Sequence, residues 1–334
     1  MSLITTRDEF DNINPISNSV SISILAPFIE QVEREFIADI LGDTELAKLQ
    51  AEYTAGSGTV TGSYGTLLSY TQRAVVWLST YRWADVGNIH ATAGGFQVGV
   101  SDKMAPASQW RVVEYKHTCA ENGFRAIQEL LAYLWSTDGV FTDWEASAER
   151  SRHRELFILS GADIQKWEDI GSSYEIFRNL KPYIRTAMHF NVRPIVGKEL
   201  YDQLIVEQKA DSLTAANETL MEKIIPICVF NALKDGATRL SILFKSYGII
   251  EKSTGEGRDA TDISKPAADS KLMSLRSHWM QNALLFENEL RQFLIDNVDD
   301  YPLYEASDAY EDPDLADEDG DEINEADRGL FLMR

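Results

Sequence analysis

Leu180-Lys181-Pro182-Tyr183-Ile184-Arg185-Thr186-Ala187, with Gly197 and Leu204 beyond it, is the second appearance of a pattern in this chain. Moved back by 155 residues, Pro182 and Ile184 fall on Pro27 and Ile29, Gly197 on Gly42, and Leu204 on Leu49. Ser160 and Asp163 fall on Thr5 and Asp8 at the same offset. Further along, an offset of 153 matches Val229, Phe230, Ala237, Ile242 and Gly248 to Val76, Trp77, Ala84, Ile89 and Gly95. An offset of 160 then matches Asp262, Pro266, Leu290 and Phe293-Leu294 to Asp102, Pro106, Leu130 and Tyr133-Leu134. The offset changes only across Gly-, Ser- and Asp-rich stretches, where loops absorb insertions at little cost. Pro, Gly and Asp recur in one order, which chance matching of apolar helices does not produce.

Each copy reads as the same succession of helices. A short start carries a capping box, Thr5 with Asp8 or Ser160 with Asp163. An amphipathic helix follows, spaced through Leu25, Phe28, Ile29, Val32, Phe36 and Ile40, or through Ile176, Leu180, Tyr183, Ile184 and Ala187. Pro27 and Pro182 fall inside it and either open or kink a helix. Gly42 and Gly197 suit a C-cap before a short helix through Leu46 and Leu49, or Leu200 and Leu204. A third helix carries Leu68, Val75, Trp77, Leu78 and Tyr81; its counterpart opens at Thr219 with Glu222 and carries Ile224, Ile227, Phe230 and Leu233. Phe96–Val100 alternates like a half-buried strand, and Ile249-Ile250 with the polar loop Ser253–Asp262 stands at the matching place, so each copy is expected to bear a short β-hairpin or arm. A long helix closes each copy, lined by Val113, Ala120, Phe124, Ile127, Leu131 and Leu134, or by Leu272, Leu275, Trp279, Phe286, Leu290 and Phe293. The expected architecture is mainly α: two tandem small helical bundles, 1–137 and 157–298, a polar linker 138–156, and an acidic extended tail 299–334.

Composition agrees with two domains. A chain of 334 residues with 44% hydrophobic residues exceeds the usual size of one core. No run of apolar residues is long enough for a membrane span, and the start MSLITTRDEF lacks the pattern of a secretory signal. Cys119 and Cys228 sit in separate apolar helical contexts and read as buried thiols or as signs of a reducing compartment. The net charge is −22, which argues against a grip on nucleic acid. Of that charge, 14 acids and no Lys or Arg lie between Asp299 and Asp327, leaving −8 on the rest. The tail is too polar to fold alone and ends in Leu330-Phe331-Leu332-Met333, four apolar residues expected to dock on another subunit or partner.

A search for chemistry finds little to support an enzyme. His90, His117, His153, His189 and His278 show no i, i+3 or i, i+4 spacing and no cysteine ligand pattern. Gly56–Gly62 lacks the Lys-Ser/Thr ending of a phosphate loop and reads as a plain turn. An EF-hand centred on Gly320 would need carboxylates where Leu315 and Ala326 stand. The 53 acids offer many carboxylate pairs, none marked out by its neighbours for acid–base work. No catalytic residue, cofactor or metal is expected.

Leu180–Ala187, running on to Pro194-Ile195-Val196-Gly197-Lys198-Glu199-Leu200-Tyr201-Asp202-Gln203-Leu204, resembles the head–tail connector (adaptor) proteins of tailed bacteriophages and prophages, in a branch with a duplicated module. The resemblance covers residues 157–297, with Asp39 standing in the first copy where Pro194 stands in the second. It implies a structural virion protein of the neck: a homo-oligomeric ring, often twelvefold, that bridges the portal protein to the tail or other neck proteins. It implies location at the capsid vertex, and in the host cytoplasm during assembly. DNA would pass through the ring without specific binding, which an acidic channel wall suits. The competing reading from the residues is a non-catalytic regulatory binding module whose acidic tail mimics nucleic acid.

Overall fold

The computed structural model describes residues 2–16, 20–84, 86–87, 89–92, 95–98, 109–137, 139–169, 174–243, 250–251, 265–266 and 269–310, and it is mainly helical. The elements run α1 (Arg7–Asp11), α2 (Ile22–Val32), a π-helical turn (Glu33–Ile37), α3 (Ala38–Ala55) and α4 (Gly62–Trp83). An antiparallel ladder follows, β1 (Ile89–Thr92) on β2 (Gly95–Val98), then α5 (Gln109–Trp135), α6 (Thr142–Glu145) and α7 (Ala148–Arg154). The succession then repeats: α8 (Gly161–Gln165), α9 (Tyr174–Ala187), a second π turn (Met188–Val192), α10 (Arg193–Val196), α11 (Lys198–Ala210) and α12 (Ala215–Leu243). A two-residue ladder, β3 (Ile250–Glu251) on β4 (Lys265–Pro266), precedes α13 (Asp269–Asp296), a 3-10 turn (Val298–Asp300) and α14 (Pro302–Glu305). Among the described residues no helix is long and apolar enough to cross a membrane.

The repeat extends to irregular backbone. The two π turns start at Glu33 and Met188, 155 residues apart, and each follows a helix with an internal proline, Pro27 or Pro182. Gly42 has φ 75°, ψ 158° and Gly197 φ 79°, ψ 157°. That region is open only to glycine; Gly197 is the C-cap of α10, as expected from sequence, and Gly42 makes the matching break inside α3. A side chain would be strained at both places, tightly packed at Gly42 and in collision at Gly197. A Cβ on Gly42 would lie 3.0 Å from Glu149 Oε2, and one on Gly197 2.5 Å from Ser307 Oγ.

By contact the described residues fall into two compact units. The first holds those of Met1–Arg154 and Leu159–Asn179; the second holds those of Glu155–Ile158, Leu180–Glu251 and Lys265–Arg334. In the first, α4 and α5 pack side by side, and Gly123 permits a close approach: a Cβ there would stand 2.6 Å from Leu78 Cγ. Leu67, Val75, Leu78, Cys119, Ile127, Leu130 and Leu134 are buried along this seam. Phe36 of the π turn meets Phe124 edge-on at 5.8 Å, and Arg178 lies 4.6 Å over the Phe36 ring while pairing with Glu35 at 3.5 Å. In the second unit, α12 and α13 make the corresponding pair, with Leu220, Ile224, Ile227, Cys228, Ala283, Leu290 and Leu294 buried. Phe230 stacks on Phe286 at 5.6 Å, and Asn231 donates to Glu287 at 3.0 Å.

The boundaries expected from sequence are corrected in three places. Residues 138–156 are not a linker: Phe141 and Trp144 are buried, and the Trp144 indole N–H donates to the Ile40 carbonyl at 3.0 Å. The tail does not begin at 299, because Tyr301 and Tyr304 are buried and the Tyr301 hydroxyl donates to the Ala216 carbonyl at 2.8 Å. Nor does the second unit start at 157, since Tyr174 and Phe177 bury themselves in the first, with Phe177 5.5 Å from His153. In each case aromatic residues inside polar stretches decided the packing, which mean polarity concealed.

Local starts also shift. The first capping box is Thr6 with Glu9, one residue later than expected, and both reciprocal bonds are present. Ser160 caps α8 as expected, accepting from the Asp163 N–H at 3.3 Å. Helix α12 begins before Thr219: Thr214 accepts from the Asn217 N–H at 3.2 Å, and Thr219 lies inside the helix with its hydroxyl on the Ala215 carbonyl. Val113, expected in the core, is exposed. The polar loop Ser253–Asp262 lies outside the described residues.

Candidate functional site

The two units end alike, and this is the feature the sequence reading passed over. Phe141-Thr142-Asp143-Trp144-Glu145-Ala146-Ser147 and Tyr301-Pro302-Leu303-Tyr304-Glu305-Ala306-Ser307 stand 160 residues apart, the same offset as the long helices before them. Both form a single helical turn, α6 or α14, that brings its serine against the glycine break: Ser147 beside Gly42, Ser307 beside Gly197. The signal was legible in the identical Glu-Ala-Ser, but acidic neighbours hid it.

In the first unit this closure is polar at its centre. Glu45 is fully buried; it accepts the Trp144 backbone N–H at 3.0 Å and the Tyr64 hydroxyl at 2.6 Å. Lys48 lies 5.2 Å over the Tyr64 ring and 3.4 Å from Asp143; its hydrogen bond with Tyr64 is the largest of the effects that raise its pKa. Arg150 lies over Trp135 and Trp144 at 5.5 and 5.3 Å, and Arg154 over Trp135 at 5.2 Å. Guanidinium groups sandwiched on indoles are held for packing, with little freedom to meet a ligand. Glu33 is a second buried carboxylate, accepting the Leu3 N–H at 2.7 Å and the Ser2 hydroxyl at 2.9 Å. Burial pushes its pKa up despite those bonds. Both buried acids therefore tie chain segments together.

The thiols are similarly enclosed. Burial raises Cys119 to about 11 and pushes Cys228 higher still, so neither is a ready nucleophile. Among the described residues no group of three or more His, Cys, Asp or Glu could hold a metal ion. The four residues expected to dock, Leu330, Phe331, Leu332 and Met333, lie outside the described residues.

What remains is surface. On α13, Met273, Met280 and Leu284 follow one another by seven and four residues and so share a stripe, 71%, 48% and 53% exposed. Leu285 beside them is 54% exposed. Between Ser270 and Phe286 the helix carries Lys271, Arg276 and His278 and no acid. In a chain of net charge −22 this face is a local reversal of sign as well as of polarity. Sequence reading placed the core-facing residues of α13 correctly at Trp279 and Leu290 and did not register the second stripe.

No curated protein and no solved structure matches the chain. The model of DUF6712, a family of unknown function, matches residues 37–154 and 192–314, two stretches that begin 155 residues apart and include α6 and α14 respectively. The chain belongs to the DUF6712 family, whose model it matches in two regions.

Proposed function

We propose that the protein is a structural ring component of a phage neck, a head–tail connector that joins portal and tail and frames the DNA channel, and that it is not an enzyme. One observation supports this best. The segment that carries the resemblance, Leu180–Leu204, forms a proline-bearing helix, a π turn and a glycine break, and the same path recurs through Pro27, Glu33 and Gly42. Chain geometry held in duplicate suits a part whose task is shape. In this reading the ladders β1–β2 and β3–β4 are the bases of arms that reach neighbouring subunits, and head-to-tail contacts close the ring. An acidic wall lets the phosphate backbone slide past.

The test is assembly. The full chain, alone and together with a portal protein from the phage or prophage genome that this reading places it in, is measured by native mass spectrometry and imaged. A ring of the chain seated on the portal is expected. A chain that stays monomeric at high concentration and does not associate with the portal overturns the proposal.

A further inference from the structure

We infer that the exposed stripe of α13 is the docking site of the chain's own apolar segment Leu330–Met333. The inference rests on this surface and this segment and holds whatever larger assembly the chain joins. Three observations carry it.

The first is apolar complementarity. Met273, Met280 and Leu284 present a run of large, unbranched or γ-branched side chains to solvent along about 16 Å of helix, at a rise of about 1.5 Å per residue. They lie beside the core-facing line of Trp279, Ala283 and Leu290, so they are not spillover from that packing. Leu330-Phe331-Leu332-Met333 is a segment of matching length and character. Methionine-bearing surfaces adapt readily to apolar partners.

The second is charge. The ten acids from Glu311 to Asp327 precede the apolar segment with no Lys or Arg among them. The stripe sits on the stretch of α13 that carries Lys271 and Arg276 and no acid, with Arg276 exposed beside Met273 and Met280. An acidic approach therefore favours this face over the acidic parts of the surface.

The third is reach. Nineteen residues separate Tyr310 from Leu330, enough to span up to about 70 Å when extended, against about 42 Å for the whole of α13. Tyr310 and α13 belong to the same unit, so any point on the stripe is within range.

Mild peroxide oxidation of the full chain, read by mass spectrometry at each methionine, tests this. Met188, buried in the π turn, is the internal control. Met273 and Met280 are expected to oxidise about tenfold faster in a full chain carrying Leu330→Asp and Phe331→Asp than in the native chain, the change that loss of a modest docking contact gives. Reciprocally, Leu284→Asp, an exposed substitution that leaves the core intact, should speed oxidation of Met333. A dilution series separates a chain's own segment from that of a second copy, since only the latter protection falls with concentration. Equal oxidation of Met273 and Met280 in the native and tail-substituted chains overturns the inference. If in that case protection persists and is lost on dilution, the stripe pairs with another copy's body instead.

Discussion

At the scale of single residues, Gly42 and Gly197 carry the largest consequence. Both hold a backbone conformation closed to side chains, and both face a serine of the closing turn. Replacing either by alanine should lower stability by about 2–3 kcal/mol, with Gly197→Ala the worse because its Cβ would meet Ser307 Cβ at 2.7 Å. Urea unfolding followed by circular dichroism measures it, and an unchanged midpoint for Gly197→Ala would show that the break is not strained. Glu33 gives a pH prediction of definite sign. A carboxyl whose pKa is higher folded than unfolded binds more protons in the folded state, so its contribution to stability falls as pH rises through the interval between the two values. Glu33→Gln keeps the acceptor for Leu3 and Ser2 and removes the buried charge. It should therefore raise the thermal midpoint more at pH 7 than at pH 4; a loss that is larger at pH 7 would mean the charge itself is required. Cys119 and Cys228 should resist a thiol reagent at pH 8 in the native protein and react only on unfolding, which a timed colour assay reads.

At the scale of elements, the closing turns α6 and α14 are integral to their units. Trp144 and Tyr304 plug the space beside a kinked helix, and Tyr301 fastens α14 to the start of α12. Ending the chain after Val298 should destabilise the second unit by about 3–5 kcal/mol, the scale of losing large buried aromatic side chains. Ending it after Tyr310 should cost far less, no more than the roughly 1.4 kcal/mol that a tenfold docking equilibrium contributes. The pair of truncations separates the folded closure from the acidic stretch beyond it; equal melting of the two would return residues 299–310 to the tail. The helix pairs α4–α5 and α12–α13 rest on a different device. Gly123 on α5 and Ala283 on α13, 160 residues apart, keep the contact surface small where the long helices approach.

At the scale of the whole molecule, charge is the dominant property. Removing 311–334 takes away ten acids and two arginines, so the net charge moves from −22 to −14 and stays strongly acidic. Neither the full chain nor this truncated form should retard duplex DNA in a gel at physiological salt. A shift produced by the truncated form would point to a basic site masked by the acidic stretch, and would count against passive passage of DNA. Acid-free stretches with basic residues, Ile176–Lys198 and Gly62–Trp83 as well as Ser270–Phe286 of α13, reverse the sign locally; that of α13 is too short to grip a duplex and better matched to an acidic peptide.

Duplication, helical class and the order of elements were fixed locally, by proline, glycine and apolar spacing, and therefore stood in the sequence. The offset of 155 between Gly42 and Gly197 predicted two equivalent helix ends because backbone conformation at glycine is a local matter. The apolar run Leu330–Met333 was conspicuous for the same reason, as apolar side chains in an acidic setting. Which polar-looking segments fold back was decided only in three dimensions. Trp144, Tyr301 and Tyr304 sit among acids and small residues whose average hides them, and their burial depends on a cavity that distant helices create. The exposure of Met273, Met280 and Leu284 is likewise tertiary. Spacing shows that they share a stripe, but only the packing of α13 on α12 shows which stripe is left in water. Burial is a property of the partner as much as of the residue, and a single chain read in order does not name the partner.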